Sequence, residues 1–431
     1  MIRILDSRKK NFKKNFKKLI LKRRKIDIKV NKVVNKIIND VKKRGDKALV
    51  HYEKKFNNNS RLIPTKKSID KAIRTLNPEV KKAIFESYKR IYKWHSLQVR
   101  KNIVYKDNLG NKFSYITKPL NAVALYCPGN LPSTTLMCCV LPQIARVKRV
   151  VLCTPAINGK LNGAVMYAAK LCNVKEIVSL SGASAIAALG YGTRKFKPVD
   201  FIAGPGAAFT AAAKRILSAE NIISKEKMHC GESEIVCWCD NSASPEEISF
   251  SLLAQSEHSS GCLAIMLSKD LNLIKEVKNK IEKNIKIMPR KKIISQSLKK
   301  YGALIYVKND KEILDILEFI SPEHVELSIR NYKKYINKLN DKLKTTGSIA
   351  AGPYSSMALS DYGPTQHSLP TNGTARYSGG LSLGDFTKQI SINELSKKGL
   401  KKLSKSGYVL SKMEKLKGHS LSIKTKALRS K

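Results

Sequence analysis

Three short segments of this 431-residue chain carry side chains that could share chemistry. In LLAQSEHSSG, Gln255 and His258 stand three residues apart, on one face if the segment is helical. An amide oxygen and an imidazole so placed could share a divalent cation, or simply end a helix in a polar, hydrogen-bonded way. In SPEHVEL, Glu323 precedes His324 at the end of a helix and the start of a strand. A carboxylate beside an imidazole offers two proton-transfer groups with separable pKa values; a surface pair is the competing reading. DYGPTQHSLPT places Asp361 and His367 in a Gly- and Pro-rich loop after a long run of small residues, a setting where functional groups concentrate. Glu414 and His419 sit in the tail, where a lone histidine is usually solvated. His51, His95 and His229 have no comparable surroundings. VDFIAGPGAAF reads as strand, turn and helix, with backbone N–H groups able to receive an anion. Phe209 at the third-glycine position departs from the dinucleotide fingerprint, so a tight packing turn competes there.

The elements that must hold these groups change character along the chain. Residues 1–120 read as mostly helical, with Val33, Ile37, Ile38 and Val41 near helical spacing and FSYITKPL as a short strand. From 121, continuous apolar strands (NAVALYCPG, RVVLCTPA, EIVSLSG, VDFIAGPG) alternate with helical segments. A second set (SEIVCWCD, LAIMLS, ALIYVKND) follows with its own helices. The pattern predicts an α/β protein with two Rossmann-like units, each a parallel sheet covered on both faces. The expected division is a helical N-terminal region (1–120), two α/β domains (121–235 and 236–385), and a helical tail (386–431) that docks on the body or a partner subunit. Each open sheet should offer a crevice at the carboxyl ends of its strands.

Lys and Arg total 82 against 33 Asp and Glu, a net charge of +49. Residues 1–60 hold 21 basic and 5 acidic residues, residues 391–431 hold 12 and 2, but residues 121–270 hold 14 and 11. The excess therefore lies on the flanks. A nucleic-acid-binding protein is one reading of such flanks. Lys dominates Arg, however, which favours solvated helix faces. The nine cysteines form no CxxC pair and lie mostly in apolar runs, as small core residues do in a reducing compartment. No apolar run reaches the roughly 18 residues of a membrane span. The N-terminus lacks the apolar stretch and cleavage site of a secretory signal. The cytoplasm is the expected location.

Taken in order, LYCPGN, LMCCVLPQIARV, VVLCTPA, SGASAIAALGYGT, VDFIAGPGAAF, AKR, GESEI, LLAQSEH, SPEHVEL, DYGPTQHSLPT, LSLGDFTKQ, ELSKKGL and GHS resemble histidinol dehydrogenase, from about residue 120 to 425. The resemblance implies a zinc-dependent homodimer that oxidises L-histidinol to L-histidine through L-histidinal with two NAD, the last steps of histidine biosynthesis. It implies Gln255, His258, Asp361 and His419 as ligands of one Zn2+ per subunit, with His419 supplied by the neighbouring subunit's tail. Glu323 and His324 match the acid/base pair. Ser233, His367 and Glu414, with His324 and the ligand set, match substrate positions. Tyr126, Ser184 and Ala207 match positions that contact NAD.

The departures from the family pattern cluster on the cofactor side. Ser184 stands where the family usually has Gln, and Ala207 where it usually has Asn. The loop after Pro128, with Asn130 in place of a glycine, and the loop from Asp361 to His367 are both shortened. GESE replaces the common GPSE, so Glu232 adds a negative charge. Two lost hydrogen bonds at about 0.5–1.5 kcal/mol each correspond to roughly a 5- to 150-fold loss of NAD affinity. The expectation is an active enzyme with weakened NAD binding and an intact metal set. The alternative is an impaired or non-catalytic relative.

Overall fold

The computed structural model describes residues 2–24, 28–229, 231–337 and 343–428. The chain begins with β1 (Arg3–Asp6), α1 (Phe12–Arg24), α2 (Ile28–Arg44), α3 (Asp46–Asn57), α4 (Lys66–Arg74), α5 (Pro78–Ser96), β2 (Ile103–Lys106) and β3 (Lys112–Pro119). One alternating series follows: β4 (Ala122–Tyr126), α6 (Pro132–Ala145), β5 (Arg149–Cys153), α7 (Gly163–Leu171), β6 (Glu176–Val178), α8 (Gly182–Tyr191), β7 (Phe201–Ala203), α9 (Ala208–Ala219) and β8 (Ser224–Lys225). The next comprises β9 (Glu234–Cys239), α10 (Pro245–Ser256), β10 (Leu263–Ser268), α11 (Leu271–Asn284), α12 (Lys291–Tyr301), β11 (Gly302–Tyr306), α13 (Asp310–Ile320), β12 (His324–Ser328), α14 (Tyr332–Ile336) and β13 (Ser348–Ala351). A short helix, Met357–Ser360, then β14 (Thr387–Glu394) and helices Lys397–Met413 and Lys417–Leu428 complete it.

Both series form parallel sheets, in the orders β6-β5-β4-β7-β8 and β1-β11-β10-β9-β12-β13. The strands are mostly apolar because helices cover both faces; β9 and β10 are buried at every position. The N-terminal helices divide between the sheets. Phe12, Phe16, Leu19 and Ile20 of α1 join Val236, Trp238 and Val325 on the second sheet. Val34, Ile38 and Val41 of α2 and Leu49 of α3 pack on the first, and Ile73, Ile84 and Ile91 cover its other face. β1, inside the segment read as helical, pairs with β11 as an edge strand. The eight cysteines among the described residues are free and buried, and Cys230 lies outside those residues.

The chain separates into two compact units, residues 1–98 with 120–386, and residues 99–119 with 387–431. Residues 99–119, grouped by sequence with the N-terminal helices, thus belong with the tail. The second unit is an antiparallel sheet, β14-β3-β2, followed by the two tail helices. Buried Asn111 accepts the Ser396 N–H at 3.0 Å, and Ser411 and Ser420 hydroxyls meet at 2.8 Å between the helices. No helix among the described residues is long and apolar enough to cross a membrane.

Candidate active site

The first sheet offers its carboxyl ends, as its topology predicts. β4 and β7 end in CPGN and GPGA, and the latter turn is closed by close backbone approach. Gly204 has φ +114°, and a Cβ there would lie 2.1 Å from the Tyr126 carbonyl. Lys214 Nζ donates to the Gly204 carbonyl at 2.8 Å and pairs with buried Glu226, pinning the turn from below. A cavity of 420 Å3 opens here, lined by Pro128, Gly206, Ala207, Arg215, Ser233 and His258 among others. Ala207 of the cofactor-side candidates and Ser233 and His258 of the substrate-side set therefore line one hollow, whereas Tyr126 and Ser184 do not line it.

The individual cofactor-side residues behave differently. Gly182 N–H donates to the Tyr126 hydroxyl at 3.1 Å, and burial pushes the phenol pKa up. Ser184 is buried, its hydroxyl donating to the Ser181 carbonyl at 2.9 Å. Ala207 is the N-cap of α9, with no side chain to cap the helix. Sequence reasoning passed over Glu53. Its buried carboxylate accepts the Ser181 N–H at 2.6 Å and hydroxyl at 2.8 Å, fixing the turn that leads into Ser184. Burial is the main cause that raises its pKa.

The second sheet departs from the expected crevice. A cavity of 880 Å3 does open at its carboxyl ends, but the chemistry-bearing residues gather at its amino ends. Ser233 immediately precedes β9, Glu323 immediately precedes β12 and His324 starts it, and α10 ends with Gln255 and Ser256, two residues before His258. Glu234 N–H donates to Glu323 Oε2 at 2.9 Å, and Glu323 N–H donates to Glu234 Oε2 at 3.1 Å. Arg23 of α1 pairs with Glu234 in a buried contact and donates to the Gly261 carbonyl at 3.0 Å. Asn372 N–H adds a bond to Glu234 at 2.9 Å. Arg23 and Glu234 were not singled out in the sequence, since their partners lie some 200 residues apart. Glu232, flagged as an added charge, takes the Ser259 hydroxyl.

Around this edge the electrostatics follow from burial. Glu323 is 5% exposed, and desolvation drives its pKa well up, with the charges of Glu234 and Asp361 adding to the rise. His324 Nε2 lies 3.9 Å from Glu323 Oε1. Burial, then the charges of His367 and His258, push its pKa down to about 3, so it is neutral at ordinary pH. His367 Nδ1 contacts the Asp361 carbonyl at 3.0 Å and its Nε2 meets Thr134 Oγ1 of α6 at 3.3 Å. Burial lowers its pKa to about 4. Asp361 is pushed up to about 6 by burial, opposed by His258. These mutual influences place Glu323, His324, His258, Asp361 and His367 in one neighbourhood.

Gln255 supplies the observation that bears on a metal. The side chain is 1% exposed and its Oε1, a buried acceptor, has no hydrogen-bond partner. An orphaned buried acceptor three residues before an imidazole suits a divalent cation. Among the described residues no three His, Cys, Asp or Glu side chains assemble a metal site by themselves; an amide falls outside that set. His419 and Glu414 belong to the second unit, on exposed positions near and within its last helix. His229, discounted in the sequence, lines the 420 Å3 cavity, with its pKa lowered to about 4 chiefly by burial.

The histidinol dehydrogenase family model matches residues 21–427. Histidinol dehydrogenase of Pelagibacter ubique is 46% identical, over 100% of both chains. That of Campylobacter jejuni is 34% identical over 88% of each. The crystal structure of histidinol dehydrogenase from Elizabethkingia anophelis superposes with a TM-score of 0.90 at 29% identity, covering 100% of this chain and 98% of that one.

Proposed function

The chain belongs to the histidinol dehydrogenase family, and from that premise we propose that it oxidises L-histidinol to L-histidine through L-histidinal, at the amino edge of the second sheet. The observation that carries the site assignment is the buried, unpartnered Oε1 of Gln255, on the helix that leads to His258, whose charge acts on both His324 and Asp361.

Gln255, His258 and Asp361 would hold a zinc ion, with His419 of a sister chain as the fourth ligand, in a cytoplasmic homodimer. When bound, zinc would anchor the substrate's imidazole and amine nitrogens, and two NAD would accept the two hydrides. His324, uncharged at ordinary pH, has a ring nitrogen free to take the carbinol hydroxyl proton as the C–H bond breaks. Glu323 would take a proton from the water that adds to the aldehyde, forming the hydrate whose C–H bond breaks in the second oxidation. His367, fixed by Thr134 and the Asp361 carbonyl, Ser233 and Glu414 would orient the substrate. Tyr126, Ser184 and Ala207 would face the dinucleotide.

The test is stoichiometric. Purified chain supplied with zinc, histidinol and excess NAD should form two NADH and one histidine for each histidinol consumed. Absence of NADH with zinc bound favours the impaired relative instead, a reading that Ser184 and Ala207 motivate.

A further inference from the structure

One buried carboxylate on β12, the strand that starts with His324, is bonded both to α10 and to the short helix that leads into Asp361. Glu326 lies two residues beyond His324 on β12 and so shares its face of the strand. It is 4% exposed. Its Oε1 accepts the Ser251 hydroxyl at 2.9 Å and the Ser328 hydroxyl at 3.5 Å. Its Oε2 accepts the same Ser251 hydroxyl at 3.1 Å and the Met357 N–H at 3.1 Å.

Each partner has a position that matters. Ser251 lies one turn before Gln255 on α10, and His258 follows the end of that helix. Met357 opens the four-residue helix Met357–Ser360, which runs directly into Asp361. A helix this short has little stability of its own, and Met357 is its only buried residue. Its first N–H is bonded to an ionisable side chain, a contact stronger than one between neutral groups when that side chain is charged. An apolar residue at 326 would leave that N–H and the Ser251 hydroxyl buried and unpaired.

We infer that Glu326 is a positioning residue: it holds β12, α10 and the Met357–Ser360 helix in the mutual register that brings Gln255, His258 and Asp361 onto one metal ion. The inference rests on the ligand set proposed above. Metal ligands must be held to within about 0.5 Å, and loss of the outer partners that orient them weakens metal affinity about 10- to 100-fold.

The experiment measures zinc affinity of the full-length, metal-stripped chain by competition with a chromophoric chelator. Glu326→Gln keeps the volume but replaces one acceptor oxygen with a donor. It should weaken zinc binding about 10- to 100-fold and change the visible spectrum of the cobalt-substituted protein. Ser251→Ala should weaken it in the same direction, and the double variant should fall short of the combined losses, because the two act through one contact. Leu327→Val, on the opposite face of the same strand, should lower the melting temperature without moving zinc affinity. Wild-type zinc affinity in a folded Glu326→Gln chain, or in Ser251→Ala if that chain does not fold, overturns the inference. His258→Ala separates the two levels. If it abolishes zinc binding while Glu326→Gln does not, only the positioning role fails. If it too binds zinc normally, the ligand set is wrong and the positioning role falls with it.

Discussion

Glu234 and Glu323 grip each other across adjacent strands, each backbone N–H donating to the other's carboxyl. Arg23 balances Glu234, so the arrangement leaves Glu323 as the member whose pKa burial and the neighbouring charge drive upward. A carboxyl meant to act as a base thereby keeps its proton to higher pH than an ordinary carboxyl does. The rate of any step that uses it falls as pH drops through its raised pKa.

Removing the charge of Glu234 should move that limb. In Glu234→Gln the repulsion raising the Glu323 pKa is lost, so the acid limb of histidinal oxidation should shift to lower pH. The same change strands Arg23, whose side chain is 7% exposed, and should destabilise the fold by about 3–5 kcal/mol. A pH–rate profile and a thermal melt check both. An unmoved limb in a folded variant would mean that Glu323 does not control it.

Glu323→Gln should separate the two oxidations. The first, which uses His324, should survive better than the second, which uses Glu323 on water. Single-turnover NADH formation starting from histidinol and from histidinal measures each. Equal losses would remove the water-activating role.

NAD affinity should be weak for a dehydrogenase, and Ala207→Asn should improve it. The new amide offers one hydrogen bond, worth about 0.5–1.5 kcal/mol, or roughly 2- to 12-fold in Kd. It also caps α9, which lacks a side-chain cap, adding about 0.5–2 kcal/mol to stability. Fluorescence titration and melting read these independently. A higher melting temperature with unchanged NAD affinity would place the dinucleotide elsewhere.

Chains carrying His258→Ala and chains carrying His419→Ala should each be inactive and regain activity when mixed, if His419 serves a sister chain. Mixed dimers would then contain one intact site. A mixture that stays inactive although both variants fold and exchange subunits would rule out sharing.

The apolar alternation from Asn121 onward was enough to predict two covered parallel sheets, because a strand buried on both faces must be apolar at successive positions. The Glu323–His324 pair was legible for a related reason: chain neighbours stay neighbours at a strand's start. The shared helical face expected for Gln255 and His258 is not formed, because α10 ends at Ser256 and His258 lies beyond it. β1 was not, since a four-residue edge strand draws its identity from β11, which lies 300 residues away. Nor was the grouping of residues 99–119 with the tail, which depends on the pairing of β3 with β14.

The chemical identity of the candidate groups was thus written in local order, but their ionisation states were decided by the folded structure. His324 is an ordinary imidazole in the sequence. It becomes a neutral, buried acceptor only because β12, α10 and the Asp361–His367 loop exclude water around it. Glu234, Arg23 and Glu326 became visible as supports only in three dimensions, because hydrogen bonds between distant segments leave no spacing that a linear chain can display.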